Sequence, residues 1–285
     1  MKFASTPRRR FLNNTAVSAV GFPFVRTIGS RETDAESSKP GFAVVSLGRS
    51  SRKRLMLAFG LVAALSLATA RAGSANDGPS LAPYFTPATP SPKAPNSEGF
   101  LQRWLLLEPI KKPFRNSNAG FSEPFVRNAI TNQYVPTQST FVPRDGDKVT
   151  VAGDELTWHA LDATGYNIKL FRFADNLKKQ LYGVQFWAVT VVDSPRDMEN
   201  VRLAVGSNAA SIWWVNGQEA VALFTDRRMV MDDCVSKRLT LHKGRNVICG
   251  SVINGPGMSD FCARLIDENG NPVKDLIINL ENAGT

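Results

Sequence analysis

Val201-Arg-Leu-Ala-Val-Gly-Ser-Asn-Ala-Ala-Ser-Ile-Trp-Trp-Val-Asn-Gly-Gln-Glu219 is the stretch on which the reading of this chain turns. Val201, Leu203 and Val205 alternate with Arg202, Ala204 and Gly206, the period of a strand with one face in a core. Ser211 to Val215 reads as a second strand, and Asn216-Gly217 as a type I′ hairpin turn, whose two central positions both need positive φ. Downstream, Arg245 to Ile253 and Phe261 to Ile266 flank the turn-rich Asn254-Gly-Pro-Gly-Met-Ser-Asp260. The expectation is an antiparallel β domain laid out as a hairpin series.

Working outward toward the N-terminus, Tyr182 to Val192 is apolar on both faces apart from Gln185 and Thr190. That pattern predicts a central strand covered on its second face, the cover supplied by residues 108–147. This region has poor periodicity, yet Phe114, Phe121, Phe125, Tyr134 and Phe141 give it something to bury. Disordered segments are poor in aromatics, so a packed cover with short helical turns is expected. Tyr166 to Phe173 reads as a strand whose alternation slips at Leu170-Phe171, as at a bulge. Val149 to Val151, Leu156 to Trp158 and Phe100 to Leu107 read as further strands, with Trp104 as a core anchor. A last short strand spans Leu276 to Leu280. No span supports a βαβ crossover, so the fold class is all-β: an antiparallel two-sheet sandwich with Greek-key or jelly-roll connections.

The formal charge of +9 sits entirely in the first 72 residues, which carry 12 Lys/Arg against 3 Asp/Glu; residues 73–285 carry 22 of each sign. A neutral body argues against binding nucleic acid by counterion release. The basic N-terminus reads as export machinery instead. Arg8-Arg-Arg-Phe-Leu12 has a twin-arginine shape. A second unit runs from Arg52-Lys-Arg54 through the apolar Leu55 to Leu67 and ends at Ala70-Arg-Ala72, a small-x-small cleavage signal. Its apolar core is shorter than the roughly 20 residues a membrane span needs. The expected organisation is therefore an export leader over 1–72, a Pro-rich linker over 73–97 and a β-sandwich domain over 98–285. The linker is expected to run as a tether or surface strap, with ordered structure starting at Phe100. The product is expected in the periplasm or outside the cell, with no membrane contact after signal cleavage.

Three motifs carry a resemblance to a known family. Phe100-Leu-Gln-Arg-Trp-Leu-Leu-Leu-Glu-Pro109 resembles the opening W-L-x-L-G-P signature of a secreted β-sandwich module, with Glu108 where that family usually has Gly. Leu203 to Asn208 and Ile212 to Gly217 resemble its G-S-D-D … W-x-N-G signature, and Leu239 to Val247 its L-x-x-G-x-N signature. The module is a galactose-binding-like jelly roll, and residues 96–280 resemble the accessory domain attached to acetylxylan esterases and gluconolactonase-type propeller proteins. Asn208-Ala209 departs from the acidic pair common at that place, and no hydrolase or propeller sequence accompanies the module in these 285 residues. The resemblance implies an accessory module without its enzyme. Its partner is then a glycan or a separately encoded secreted carbohydrate-active enzyme.

Catalytic motifs are scarce. There is no Gly-x-Ser-x-Gly elbow, and the two histidines, His159 and His242, flank strands. A triad of Ser251 or Ser259 with His242 needs a convergence that sequence does not show. The gaps between Cys234, Cys249 and Cys262 match no zinc site, and no cofactor is expected. Calcium through Asp226, Asp232, Asp233 or Asp260 has clustered oxygens in its favour but no EF-hand spacing.

Binding has better candidates. Adjacent strand residues point to opposite faces, so one of Trp213 and Trp214 leaves the inter-sheet core. That outer ring is either covered by another segment or offers a flat face to a sugar or partner. Asn216 adjoins it, and Arg227, Arg228, Asp232 and Asp233 offer planar polar groups beside an aromatic. The same loop also reads as internally salt-bridged. For the cysteines, antiparallel pairing across residues 254–260 with Cys249 opposite Cys262 would permit a disulfide, the alternatives being three reduced thiols or a pairing through Cys234. Three function classes follow: a carbohydrate-binding module, a docking or structural module, and an esterase or lactonase acting on plant polysaccharide derivatives.

Overall fold

The computed structural model describes residues 80–111, 121–130, 137–225 and 227–280. The leader signals lie outside them, as do Phe114 and Tyr134 of the expected cover.

Two antiparallel sheets form a sandwich consistent with a jelly roll. Among the described residues the larger has ten strands, of which seven follow the order β1 (Phe85–Pro87), β5 (Asp154–Ala163), β2 (Arg103–Leu107), β6 (Val184–Ser194), β12 (Gly244–Asn254), β8 (Ala210–Val215) and β9 (Gln218–Leu223). Short β3 (Ile110–Lys111) and β14 (Ile277–Ile278) extend the β2 edge of β6, and β4 (Lys148–Val151) pairs with β5. The smaller sheet centres on β7 (Met198–Ser207), flanked by β13 (Phe261–Ile266) on one edge and by β10 (Cys234–Val235) and β11 (Leu239–Leu241) on the other.

The period-2 reading of Val201, Leu203 and Val205 holds. They enter the inter-sheet core together with Phe261, Ala263 and Leu265 of β13. Facing them across the sandwich are Trp104, Phe186, Trp213 and Val252 of the large sheet. At the centre Trp104, Trp213 and Phe261 meet at ring separations of 4.9–6.0 Å with tilted or T-shaped planes. Edge-to-face geometry sets the positive ring edge of one against the negative face of another.

A second core lies on the outer face of the large sheet. Leu105, Trp187, Val189, Ile212 and Cys249 are buried there under Phe121, Val126 and Ile130. The last two belong to α1 (Glu123–Ile130), an eight-residue helix with Pro124 in its first turn, where a missing N–H costs little. Gln185 ties cover to sheet. Its amide nitrogen donates to Ala129 O at 3.3 Å, and its oxygen accepts from Trp187 Nε1 at 3.1 Å and Ser251 Oγ at 2.8 Å. The central strand and its packed cover are thus as the apolar pattern anticipates.

Four local expectations are corrected. Residues 170–176 form a helix, α2 (Leu170–Asn176), rather than a bulged strand, because Leu170, Phe173 and Ala174 are buried at helical spacing. Ordered structure begins before Phe100, since Phe85 is buried and β1 continues the sheet along the free edge of β5. The hairpin series is interrupted too. Asn216 and Gly217, at φ 50° and 80°, close a β8–β9 hairpin as the turn chemistry predicts, but β7 and β8 belong to different sheets. Likewise, β12 and β13 do not pair. Residues 255–260 carry the chain from one sheet to the other, so Cys249 stands opposite Val189 and Trp214, and Cys262 opposite Gly206. The Cys249–Cys262 disulfide is therefore replaced by three free thiols.

Candidate functional site

The two adjacent tryptophans separate as a strand requires. Trp213 is fully enclosed, its Nε1 donating to Ser211 Oγ at 2.9 Å. Trp214 emerges on the outer face, half-buried, and stacks on Trp187 at 5.7 Å with the ring planes 18° apart. That stack fixes the indole of Trp214 while leaving part of it in contact with solvent. Opposite Trp214 in the hairpin stands Glu219, held by both terminal nitrogens of Arg127 from α1 at 2.7 and 3.0 Å. Arg127 also lies 5.3 Å over the Phe224 ring and bonds Glu123 at 2.8 Å. Its pKa is raised by the hydrogen bonds to Glu219 and Glu123, so the guanidinium stays charged. An immobilised aromatic face thus adjoins a partly exposed, planar polar pair. Sequence reading missed Arg127 and Glu219, which are 92 residues apart.

The other candidates go elsewhere. Asn216 braces its own hairpin, accepting from Val247 N at 2.8 Å and donating to Asn246 Oδ1 at 2.9 Å. It also lines a pocket of about 330 Å³ between the β8–β9 hairpin and β11. The 227–233 loop crosses the outer face of the small sheet so closely that Gly206 has no room for a Cβ against Val230 O. Within it Arg227 pairs with Asp233. Asp232 grips Arg264 of β13 through two hydrogen bonds, one of them 3.0 Å, while Arg264 lies 4.9 Å over Phe100. Arg228 is exposed. The loop is therefore salt-bridged to itself and to the sheet, the second of the two readings open from sequence, and it does not converge on Trp214.

Asp226 lies outside the described residues. Asp260 is buried and engaged by Lys169 Nζ at 2.8 Å. Burial pushes its carboxyl above the ordinary range, and Lys169 only partly offsets this. Among the described residues no three His, Cys, Asp or Glu side chains gather where a metal could be held.

Nor do the serines meet a base. Ser251 is buried against Gln185, Ser259 is fully buried, and His242 projects into solvent with Asp197 4.0 Å away. His159 lies 3.5 Å from buried Glu108, which also receives Lys179 Nζ at 2.9 Å. This cluster occupies the position where Glu108 replaces the glycine of the resembled motif. Burial raises all three thiol pKa values, Cys262 to about 11.

No protein-family model and no curated protein matches the chain. Among solved structures it is similar to the PA14 domain of the antifreeze protein MpAFP (12% identity, 68% of this chain and 95% of that one, TM-score 0.37). It is similar also to a PA14 sugar-binding domain from an RTX adhesin (14% identity, 62% and 96%, TM-score 0.34). A β-glucosidase from Kluyveromyces marxianus, in complex with glucose, matches at 16% identity over 49% of this chain, with a TM-score of 0.32. The match spans 18% of that enzyme's length. The sandwich assignment itself rests on the strand pairing described above.

Proposed function

We propose that this chain is a secreted, non-catalytic accessory module that binds glycan on the solvent-facing part of Trp214. The observation that carries the reading is the fixed indole beside the Arg127–Glu219 pair. Sugar rings present apolar C–H faces that stack on an indole and equatorial hydroxyls that bond planar guanidinium and carboxylate groups. The stack on Trp187 holds the platform before ligand arrives, which lowers the ordering cost of binding. Retention on a panel of plant polysaccharides tests this. Trp214→Ala should abolish retention while costing roughly 1–2 kcal/mol of stability, the scale of a lost aromatic pair plus partial burial. Unchanged retention by the variant would sink the assignment.

A second reading, docking to a separately encoded secreted carbohydrate-active enzyme, is favoured by the exposed side chains of Val230, Met231, Val235 and Met258. Pulldown from culture supernatant with wild type and a Val230→Ser/Met231→Ser variant separates it from glycan binding. Export itself rests on the leader signals. Intact mass of the exported protein should show residues 1–72 removed.

A further inference from the structure

We propose that the pocket between the β8–β9 hairpin and β11 is a second carbohydrate subsite, specific for a uronic acid residue whose carboxylate is read by Arg238. The proposal extends the glycan-binding reading but rests on different residues. The pocket's volume of about 330 Å³ lies at the lower end of the range for small-molecule sites and suits a single sugar ring. Its walls combine apolar Val215 and Leu239 with the polar side chains of Gln218, Thr240 and His242.

Three observations point to an acidic occupant. The Arg238 side chain is exposed and has no hydrogen-bond or ion-pair partner among the described residues, unlike Arg103, Arg127, Arg227 and Arg264. A guanidinium presents parallel N–H groups that match a carboxylate bidentately. Second, residues 234–245 carry Lys237, Arg238, Lys243 and Arg245 and no Asp or Glu, in a body with 22 charges of each sign. Third, among the described residues no acid lines the pocket: exposed Asp197 and Glu199 border a neighbouring one, although Asp197 lies 4.0 Å from His242. Asp197 accepts from Lys243 N at 2.7 Å, and Glu219 is held by Arg127. Gln218 and Thr240, whose side chains are exposed, provide donors and acceptors for ring hydroxyls. Trp213 is enclosed and Trp214 faces the other side of the sheet, so recognition here uses charge and hydroxyl bonding rather than stacking.

Ligand-observed NMR titration of the purified protein with methyl β-glucuronide, the neutral methyl β-glucoside and sodium phosphate tests the proposal. The glucuronide should bind, the glucoside and phosphate at least tenfold more weakly. Arg238→Gln should weaken glucuronide binding tenfold or more, the scale of losing hydrogen bonds to a charged group. Lys243→Gln, which removes a cation that does not line the pocket, should change it less than twofold. Equal binding of glucuronide and glucoside, or of glucuronide and phosphate, overturns the proposal, as does an Arg238→Gln variant that binds like wild type. Trp214→Ala separates this site from the first. Glucuronide binding that survives this substitution supports the pocket even if polysaccharide retention is never seen. Retention lost in Trp214→Ala with no effect of Arg238→Gln removes the pocket alone.

Discussion

The centre of the sandwich makes a demanding prediction through Gly250. This glycine sits in the interior of β12 directly opposite Trp213, on the inter-sheet face. A methyl group there would meet three carbons of the Trp213 six-membered ring, at 2.6 Å even for the farthest, Cη2. Neither partner can retreat, because Trp213 is enclosed by Trp104 and Phe261. Gly250→Ala should therefore cost about 3 kcal/mol, the upper end for overpacking a core. For a domain of this size that lowers Tm by roughly 6–12 °C. Trp213→Ala should cost about 3–5 kcal/mol by leaving a cavity.

The double variant tests the reasoning. Without the indole, the new methyl group enters empty space, and alanine in a strand is better than glycine by roughly 0.5–1 kcal/mol. Gly250→Ala should thus change sign and stabilise the Trp213→Ala protein. Urea unfolding of all four proteins measures the cycle, with m held constant across the set. Sodium sulfate in every sample keeps the weakest variant folded. If Gly250→Ala costs the same in both backgrounds to within about 0.5 kcal/mol, the two residues are uncoupled and the account of the glycine is wrong.

Acid titration should separate half-buried Asp162 from buried Asp260. Burial pushes Asp162 up, but hydrogen bonds from Arg103 and the charges of Lys93 and Arg103 outweigh it, so its pKa lies below the ordinary value. Its stabilising contribution is present above the unfolded carboxylate pKa of about 4 and is lost as pH falls toward the folded value, so Asp162→Asn should flatten the acid limb of stability against pH. Asp260 has the opposite sign: its raised pKa means that its contribution is complete below about pH 4 and fades as pH rises through the folded value. Stability relative to Asp260→Asn should therefore improve on acidification, and a parallel pair of curves refutes this. For the cysteines, alkylation of native protein should label Cys234 first and leave fully buried Cys249 untouched until unfolding. Non-reducing peptide mapping should return no linked pair, and a Cys249–Cys262 peptide would contradict the sheet assignment.

What was legible in the chain follows a physical divide between local and non-local causes. Asn216-Gly217 announces its turn because the required φ values are properties of two residues alone. Alternation at Val201, Leu203 and Val205, and the opposed faces of Trp213 and Trp214, follow from strand geometry within a few residues. Tyr166 to Phe173 is too short to separate a period of 2 from 3.6. The core beneath Leu170, Phe173 and Ala174, made by distant strands, decides for the helix. The site is non-local in the same sense: Glu219 and Trp214 face each other across one short hairpin, but the arginine that gives their corner its polar character arrives on α1.

The partners of β12 show why turn chemistry alone does not decide which strands pair. Residues 254–260 have the composition of a hairpin loop, and the flanking runs have the right period. A strand, however, has only two edges. Gly244–Asn254 is paired along its whole length with β6 on one side, and Ile248–Ile253 with β8 on the other. Along Ile248–Ile253 both edges are taken, so β13 finds no ladder across the 254–260 connection and satisfies its own backbone against β7. The competition was settled by β6, whose apolar faces demand burial on both sides, and a strand buried on both sides must lie inside a sheet with long partners on its edges. The connection after β12 therefore has to leave the large sheet. That requirement puts Cys262 opposite Gly206, where it meets Met229 rather than Cys249.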